Sequence, residues 1–300
     1  MTDTAPATLK PIADVLTQPR HHWVGDGFDV NMAFSPSSYD PQQLSPFILM
    51  DHGAARHFPP ASKPRGVGPH PHRGFETVTF AYQGEIDHRD SHGGGGRIGP
   101  GDVQWMTAGS GVVHEEFHSQ AFTEAGGTLE MVQLWVNLPA RLKMTTPRYQ
   151  ALLGTKFPRL EFGSGSGRLI AGELQGQRGT ADSHTPMTIF DIDLPAGGEA
   201  SFELPLGHTI LVFMLEGRLQ AQGSRELRGA QLMVMKRDAP GAVSLAASHG
   251  ERGRALVLSG EPLNEPVVAH GPFVMNTREE IAKAVEDYQR GRMGTLTPAT

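Results

Sequence analysis

Short apolar runs recur along the whole chain, and each is bounded by Gly, Pro, Asn or Asp. Alternation of apolar and polar residues over about four to eight positions is typical of β-strands with one buried face. The pattern predicts strands at 28–34, 47–50, 76–82, 85–90, 102–106, 111–117 and 129–136 in the first half, and at 187–194, 200–203, 209–215, 218–222, 231–235, 243–246 and 255–259 in the second.

One segment has a helical pattern instead. Thr277-Arg-Glu-Glu280 forms a capping box, and apolar residues follow it at helical spacing. We therefore expect an all-β protein with a short C-terminal helix at residues 277–291.

The two halves of the chain resemble degenerate copies of each other. Glu76–Gly84 and Thr209–Gly217 are both apolar strands that end in Gly, and each is followed by a second matching block, at 101–106 and 229–235. The repeat predicts two β-barrel domains of one type. A Pro-containing segment at 138–148 lacks strand alternation, so we expect the domains to be 1–140 and 141–300, with the helix in the second.

Composition narrows the chemistry. The 300 residues carry a net charge of −6, which provides no overall field for nucleic acid or an anionic membrane. The chain has no Cys, and this excludes disulfides, thiolate nucleophiles and Cys-based metal sites. The N-terminus does not resemble a signal peptide, and the longest apolar run, Ile210–Leu215, is too short to span a bilayer. We expect a cytoplasmic protein.

Histidines are concentrated in the first half, where eight of the 14 lie between residues 52 and 118. His88 and His92 flank a four-glycine run, and we expect both to be solvated. His52 and His57 lie beside turn residues, so neither is a good candidate for a metal ligand.

His70-Pro-His72 and His114-Glu-Glu116 have a more informative spacing. Side chains at i and i+2 of a strand point to the same face, so two such strands side by side would direct three imidazoles and one carboxylate at one point. That set can hold a metal ion and leave positions open for water or substrate. The competing interpretation, a loop at His70–His72 and a core histidine at His114, stays open on spacing alone.

A rival motif overlaps these residues. His114-Glu-Glu-Phe-His118 matches the His-Glu-x-x-His signature of zinc metalloproteases, which requires a helix. The preceding Gly109-Ser-Gly-Val-Val113 favours a turn and a strand. On a strand the two histidines would be about 13 Å apart, too far to share one ion.

Longer motifs show a family resemblance. His70-Pro-His-Arg-Gly-Phe-Glu-Thr-Val78, Gly101–Gly109, Val113-His-Glu-Glu116, Gln133–Pro139 and His270–Asn276 together resemble the signatures of the pirin family in the cupin superfamily. The resemblance implies two cupin-type β-barrels (a bicupin), of which the N-terminal one holds a single iron. Carried over by motif, its ligands would be His70, His72, His114 and Glu116. Glu76 would be the carboxylate ligand in the broader cupin pattern, and could otherwise orient a ligand histidine.

The second half has no matching set of ligands. Aligning Gly84 with Gly217 places Glu203 and Pro205 opposite His70 and His72, and maps the later motif into Ala242–Ser248, which has neither His nor a carboxylate. We expect the second barrel to be structural or to serve as a wall for the first.

The resemblance implies a quercetin 2,3-dioxygenase-type oxidation of a flavonol or a related enol or phenol by O2. The cofactor would be one Fe(II) per chain, for which other divalent metals can substitute, and Glu116 would be the catalytic base. The alternative is a metal-dependent regulatory protein that binds a protein partner without turnover, as a transcriptional coregulator or a modulator of a metabolic enzyme. Direct binding of nucleic acid is expected in neither case.

Overall fold

The computed structural model describes residues 8–17 and 20–296, and most of its regular structure is β. Every strand ladder among these residues is antiparallel. The strands are β1 (Ile12–Thr17), β2 (Arg20–Val24), β3 (Phe28–Phe34), β4 (Phe47–Phe58), β5 (Gly66–His72), β6 (Phe75–Gln83), β7 (Ile86–Asp90), β8 (Gly95–Ile98), β9 (Val103–Thr107), β10 (Val112–His118), β11 (Gly127–Asn137), β12 (Arg148–Leu152), β13 (Arg159–Phe162), β14 (Gly165–Ala171), β15 (Glu173–Leu174), β16 (Gln177–Arg178), β17 (Met187–Leu194), β18 (Glu199–Phe202), β19 (Thr209–Ala221), β20 (Arg225–Arg228), β21 (Gln231–Met235), β22 (Val243–Ala247), β23 (Gly253–Gly260), β24 (Val268–His270) and β25 (Phe273–Met275). The α-helices are α1 (Pro41–Leu44), α2 (Gln120–Ala125) and α3 (Arg278–Gln289), and short 3₁₀ turns lie at Ala140–Leu142 and Gly154–Lys156.

The described residues form two compact units. We call residues 20–156 with 263–296 the first barrel, and residues 8–17 with 157–262 the second barrel. The first barrel contains a seven-stranded sheet in the order β12-β9-β6-β11-β4-β3-β2 and a four-stranded sheet in the order β5-β10-β7-β8. Its apolar core includes Phe28, Phe58, Ile86 and Met131.

The second barrel has a main sheet in the order β1-β21-β19-β23-β17-β14-β13. The far end of β19 continues into a smaller face in which β22 pairs with both β18 and β19, and β20 pairs with β19. Buried Phe190, Phe213, Leu245 and Val257 are typical of its interior strands, which contribute almost only apolar side chains. The predicted fold class, two β-barrels with a short helix, is confirmed.

The predicted division into 1–140 and 141–300 differs from the structure. β12 lies beyond residue 140 but pairs with β9 of the first barrel, and β1 at the N-terminal end pairs with β21 of the second. The helix predicted for 277–291 belongs to the first barrel. The two divisions differ because the prediction assumed contiguous domains, whereas the edge strands accept partners from distant parts of the chain.

Helix α3 begins where the sequence predicts. The Thr277 hydroxyl accepts a hydrogen bond from the Glu280 amide at 3.2 Å, and the Glu280 carboxylate accepts one from the Thr277 amide at 3.0 Å. Buried Ile281 and Ala284 pack with Val113 of β10, so the helix covers one end of the four-stranded sheet. No helix in the described ranges has both the length and the apolar character needed to cross a membrane.

Candidate metal centre

Strand β10 is central to the four-stranded sheet of the first barrel and carries two of the predicted ligands. His114 lies opposite His70 of β5 on one side and opposite Asp90 of β7 on the other. Glu116, two residues on, shares the inner face with His114. A bulge between these two residues shifts the register, so that Glu116 lies opposite Val67 rather than Gly68.

The three predicted histidines converge. The His70 and His72 ring centroids lie 4.2 and 4.8 Å from that of His114, and 4.9 Å from each other. Each ring offers one nitrogen to a group whose atoms all lie within 4.8 Å of one another. Bonds of about 2.1 Å would place ligand nitrogens at most about 4.2 Å apart, so a small inward movement would let these rings share an ion.

Hydrogen bonds at Nδ1 leave Nε2 of His70 and His72 available to a metal ion. Nδ1 of His70 faces the Gly68 carbonyl at 2.9 Å, and Nδ1 of His72 faces the Pro272 carbonyl at 3.4 Å. Carbonyls only accept, so Nδ1 carries the proton and Nε2 keeps its lone pair. Nε2 of His114 is buried and has no hydrogen-bond partner among the described residues. This buried, unpartnered nitrogen beside two free Nε2 atoms fits a metal ligand set.

Burial favours the neutral rings that ligation requires. It lowers the pKa of both His72 and His114 well below the usual range, and the neighbouring histidines lower both further. Neutral imidazoles can bind a cation without first releasing a proton.

Glu116 is held by a buried amide. Gln104 of β9 donates its side-chain N–H to Glu116 Oε1 and to Thr79 Oγ1, the latter at 3.0 Å. The Tyr149 hydroxyl donates to Gln104 Oε1 at 3.4 Å. Burial, reinforced by the Glu116 and Asp90 charges, raises the pKa of Tyr149, so its hydroxyl remains a donor.

His88 corrects an expectation, because it is buried rather than solvated. Its side chain is fully covered and stacks on Tyr149 at 4.7 Å. Its Nδ1 lies 3.3 Å from Nδ1 of His114 and 3.9 Å from Glu116 Oε1, and together His88, His114 and Glu116 form a second group of potential ligands. Burial lowers the pKa of His88, but the Asp90 and Glu116 carboxylates outweigh it and raise the pKa overall. His92 is exposed, as expected.

Glu115 points away from this centre. It binds Arg89 of β7 on the outer face of the sheet. His118 shares the inner face with His114, but it bonds the Gly27 carbonyl at 2.8 Å among aromatic rings. Because residues 112–118 form a strand, the metalloprotease interpretation is wrong.

Glu76 also lies outside both groups of potential ligands. Its neighbour Phe75 packs on His72 at 5.1 Å, so alternation along β6 directs Glu76 to the opposite face. There it is fully buried and accepts a hydrogen bond from the Thr107 hydroxyl at 2.7 Å. Its position supports neither ligation nor direct orientation of a ligand histidine.

The centre opens onto a cavity of about 310 Å³ inside the first barrel. A cavity of this size accommodates a small organic molecule. His70, His72 and Glu116 form part of its wall, and the rest is Val24, Phe28, Val30, Leu49, Asp51, Val67, Met131, Gln133 and Trp135. An apolar chamber with a few convergent polar groups at one place is typical of a site that binds and transforms a small molecule.

Comparison with known proteins agrees with this architecture. Residues 28–136 match the model of the pirin family, and residues 189–294 match that of the pirin C-terminal cupin domain. A Pseudomonas aeruginosa protein, named provisionally as a quercetin 2,3-dioxygenase, is 51% identical over 95% of this chain and 98% of its own length. The chain belongs to the pirin family.

Two further pirin relatives extend the similarity. A pirin-like protein of Solanum lycopersicum is 39% identical over 84% of this chain and 83% of its own. The crystal structure of a quercetin 2,3-dioxygenase from Acinetobacter baumannii has a TM-score of 0.92 at 46% identity, covering 97% of this chain and all of the other. The bicupin architecture is therefore shared across the whole length.

The pirin motif also contains residues that serve the fold rather than the metal. Arg73 donates to the Ser110 carbonyl at 2.7 Å and, through Nη1, to Asp287 of α3 at 2.9 Å. Gly74 has φ +87°, and a Cβ there would lie 2.1 Å from the Val274 carbonyl oxygen. This arginine and glycine attach the C-terminal segment directly beside His72. Sequence motifs alone did not indicate that role.

The second barrel of this pirin presents different side chains at the equivalent positions. Ile86 and Leu219 each follow a glycine turn by two residues, and they lie opposite His118 and Ala247 respectively. On this register Glu116 corresponds to Leu245, and the equivalents of His114 and His88 are Val243 and Ala221. Phe202 lies opposite Val243, so Phe202 rather than Glu203 corresponds to His70. The sequence alignment that paired Gly84 with Gly217 was therefore one residue out of register at His70.

Proposed function

We propose that this pirin is a mononuclear non-haem iron oxygenase of the quercetin 2,3-dioxygenase type, acting on a flavonol or a related enol or phenol. The ligands are His70, His72, His114 and Glu116. The observation that carries the proposal is that His70, His72 and His114 each offer a nitrogen within 4.8 Å of the others, and that His70, His72 and Glu116 line one mostly apolar cavity. The names of the Pseudomonas and Acinetobacter relatives support the same activity.

Fe(II) in this site would supply open coordination positions for O2 and for a substrate oxygen. The protein supplies the rest. Apolar walls such as Met131 and Trp135 exclude water and hold a flat ring system, and the exclusion strengthens every polar contact inside.

Glu116 is the base in this proposal. It lines the cavity, and the Gln104 amide holds one of its oxygens in place. A carboxylate held in this way can accept the proton of a substrate hydroxyl and so produce the electron-rich anion that reacts with O2. The other group of potential ligands, His88, His114 and Glu116, shares two residues with the proposed ligands. In this proposal His88 orients His114 and does not bind the metal.

Two neighbouring carboxylates provide the test. Glu116→Gln keeps the shape of the side chain but removes the proton acceptor, so oxygen uptake by iron-loaded protein with quercetin should fall by about 10²–10⁴-fold. Glu115→Gln, on the outer face, should change uptake by less than about twofold apart from a small loss of stability through Arg89.

Iron content is measured on the same samples, because loss of Glu116 also weakens metal binding. Equal losses of uptake in the two variants at matched iron content would contradict the assignment of Glu116. Wild-type protein that holds iron but takes up no oxygen with quercetin would contradict the oxygenase and favour the binding function.

A further inference from the structure

The cavity has a second polar feature, Asp51 on strand β4, which lies outside the proposed ligand set. Only 6% of Asp51 is exposed. It shares its face of β4 with Leu49, and both line the cavity. A buried carboxylate is costly unless something pairs with it.

Asp51 is only half satisfied. His22 of β2 lies beside it, with Nε2 3.5 Å from Asp51 Oδ2. Oδ1 is shut off from bulk solvent and has no hydrogen-bond partner among the described residues. Burial raises the pKa of Asp51 to about 6 against the opposing effect of His22, so the group is still ionised at neutral pH. A buried anionic oxygen without a donor is unfavourable, and because Asp51 lines the cavity, a ligand hydroxyl there can supply the donor.

A row of polar side chains connects Asp51 to the metal centre. Gln104, Thr79, Gln133 and Asp51 are successive cross-strand neighbours on β9, β6, β11 and β4. Gln104 donates to both Glu116 and Thr79, and the Thr79 hydroxyl donates to Gln133 Oε1 at 2.6 Å. Gln133 then lies directly opposite Asp51.

The length of this row indicates how long a molecule that spans it must be. Three strand spacings of about 4.8 Å separate Gln104 from Asp51, or about 14 Å along the sheet. The side chains beside the row include Met131 and Trp135, which suit a flat aromatic body. An occupant that spans it would bring oxygens to the metal at one end and a hydrogen-bond donor to Asp51 at the other.

We propose that Asp51, supported by His22, is a specificity-determining residue that accepts a hydrogen bond from a phenolic hydroxyl remote from the metal-binding end of the substrate. The inference rests on the proposed function and narrows its substrate class to rigid aromatic enols with at least one further hydroxyl. Flavonols that carry only the chelating oxygens should bind more weakly.

The test compares quercetin with 3-hydroxyflavone, which keeps the chelating hydroxyl and carbonyl but lacks every other hydroxyl. Binding is measured without oxygen on iron-loaded protein, by quenching of tryptophan fluorescence. For Asp51→Asn we expect Kd for quercetin to rise about 10-fold, because a charge-assisted hydrogen bond becomes a neutral one. Kd for 3-hydroxyflavone should change by less than about twofold. His22→Phe should raise Kd for quercetin about threefold and leave Kd for 3-hydroxyflavone unchanged.

The chain offers a matched control in Asp29 on β3. Asp29 also pairs with a histidine, His21, but it alternates with the cavity residues Phe28 and Val30 and so points outward. Asp29→Asn should therefore leave both dissociation constants within about twofold.

Unchanged binding of 3-hydroxyflavone by Asp51→Asn would show that the variant is folded. Equal weakening of both ligands would mean a structural role and would overturn the inference, as would unchanged binding of quercetin or wild-type protein that binds neither flavonol. The oxygenase is judged separately by oxygen uptake. If the protein discriminates the two ligands through Asp51 but takes up no oxygen, the inference stands and the proposed function is contradicted.

Discussion

The two barrels have the same strand order and opposite interiors. The order β12-β9-β6-β11-β4-β3-β2 in the first is matched by β1-β21-β19-β23-β17-β14-β13 in the second, and each barrel also has a smaller face. In the smaller face of the first barrel, β10 presents His114 and Glu116 inward. The equivalent strand β22 of the second presents Val243 and Leu245.

The difference shows what a polar interior requires of its surroundings. Glu116 and His88 are buried in contact with Gln104, Tyr149 and Asp90, which donate or accept hydrogen bonds or carry a compensating charge. The second barrel needs no such partners, since Leu245 packs among Ala200, Leu219 and other apolar side chains. One scaffold thus supports either a functional chamber or a solid core, and the inward positions of two strands decide which.

The largest expected effect comes from converting a first-barrel ligand to its second-barrel counterpart. His114→Val removes one of the four proposed ligands. If four ligands contribute about 10–16 kcal/mol, losing one costs about 2.5–4 kcal/mol, or about 10²–10³-fold in metal affinity. Competition with a chelator and elemental analysis of the purified protein measure this. Full metal occupancy in His114→Val would contradict the ligand set, and the exposed His92→Ala is the control.

The next conversion is His88→Ala, which introduces the side chain found at the equivalent position of the second barrel, Ala221. His88 contacts His114 through Nδ1, so its loss should free the His114 ring without removing a proposed ligand. We expect metal affinity to fall by about 10–100-fold, less than for His114→Val. The same chelator competition applies to both variants. Loss as large as that of His114→Val would make His88 itself a ligand and favour the His88, His114 and Glu116 group.

The smallest effect concerns α3, which belongs to the first barrel. Arg73 and Arg292 both bind Asp287, and hydrogen bonding by Arg73 lowers the pKa of Asp287 to about 2 from 3.8. A depressed carboxyl pKa stabilises the fold above the unfolded value, and that stabilisation is lost as pH falls from about 4 to about 2.

Asp287→Asn should therefore lower the free energy of unfolding by about 1–2 kcal/mol at pH 7 and by much less near pH 2. Urea denaturation of metal-free protein at both pH values measures the change. A loss of the same size at both pH values would mean that the side chain acts through packing rather than charge. Glu286→Gln, on the exposed side of α3, is the control.

Much of this molecule could be predicted from local pattern. Alternation located most strands, the capping box located α3, and the spacing of His70 with His72 and of His114 with Glu116 selected side chains that share a face. Alternation and helix capping depend on neighbours close in sequence, and these are visible in a single chain.

The prediction that His88 is solvated was wrong, although the alternation pattern of its strand was available. A strand at 85–90 was predicted, and the buried Ile86 on it faces the same way as His88, two residues later. The flanking glycines outweighed this alternation in the prediction, although they lie in the turn beyond Asp90. Consistent use of the strand would have placed His88 inside.

Other features could not be predicted because they depend on distant pairings. Nothing near Asp287 indicates Arg73, and nothing near β1 indicates β21 as its partner. The position of Asp51 opposite Gln133 likewise follows from the order of strands in the sheet rather than from a motif. The role of the arginine in His70-Pro-His-Arg73 became clear only when α3 was located.

The exchange of terminal segments between the barrels has a consequence for synthesis. During translation, residues 20–156 leave the ribosome well before residues 263–296, which carry the Pro272 carbonyl that orients His72 and the carboxylate that holds Arg73. The ribosome must therefore make residues 157–262 of the second barrel before the surroundings of the proposed metal ligands are complete. Tight capture of a metal ion at this site should then be a late event in biogenesis, and a nascent chain stalled before residue 272 should hold an ion poorly even with all four proposed ligands already made.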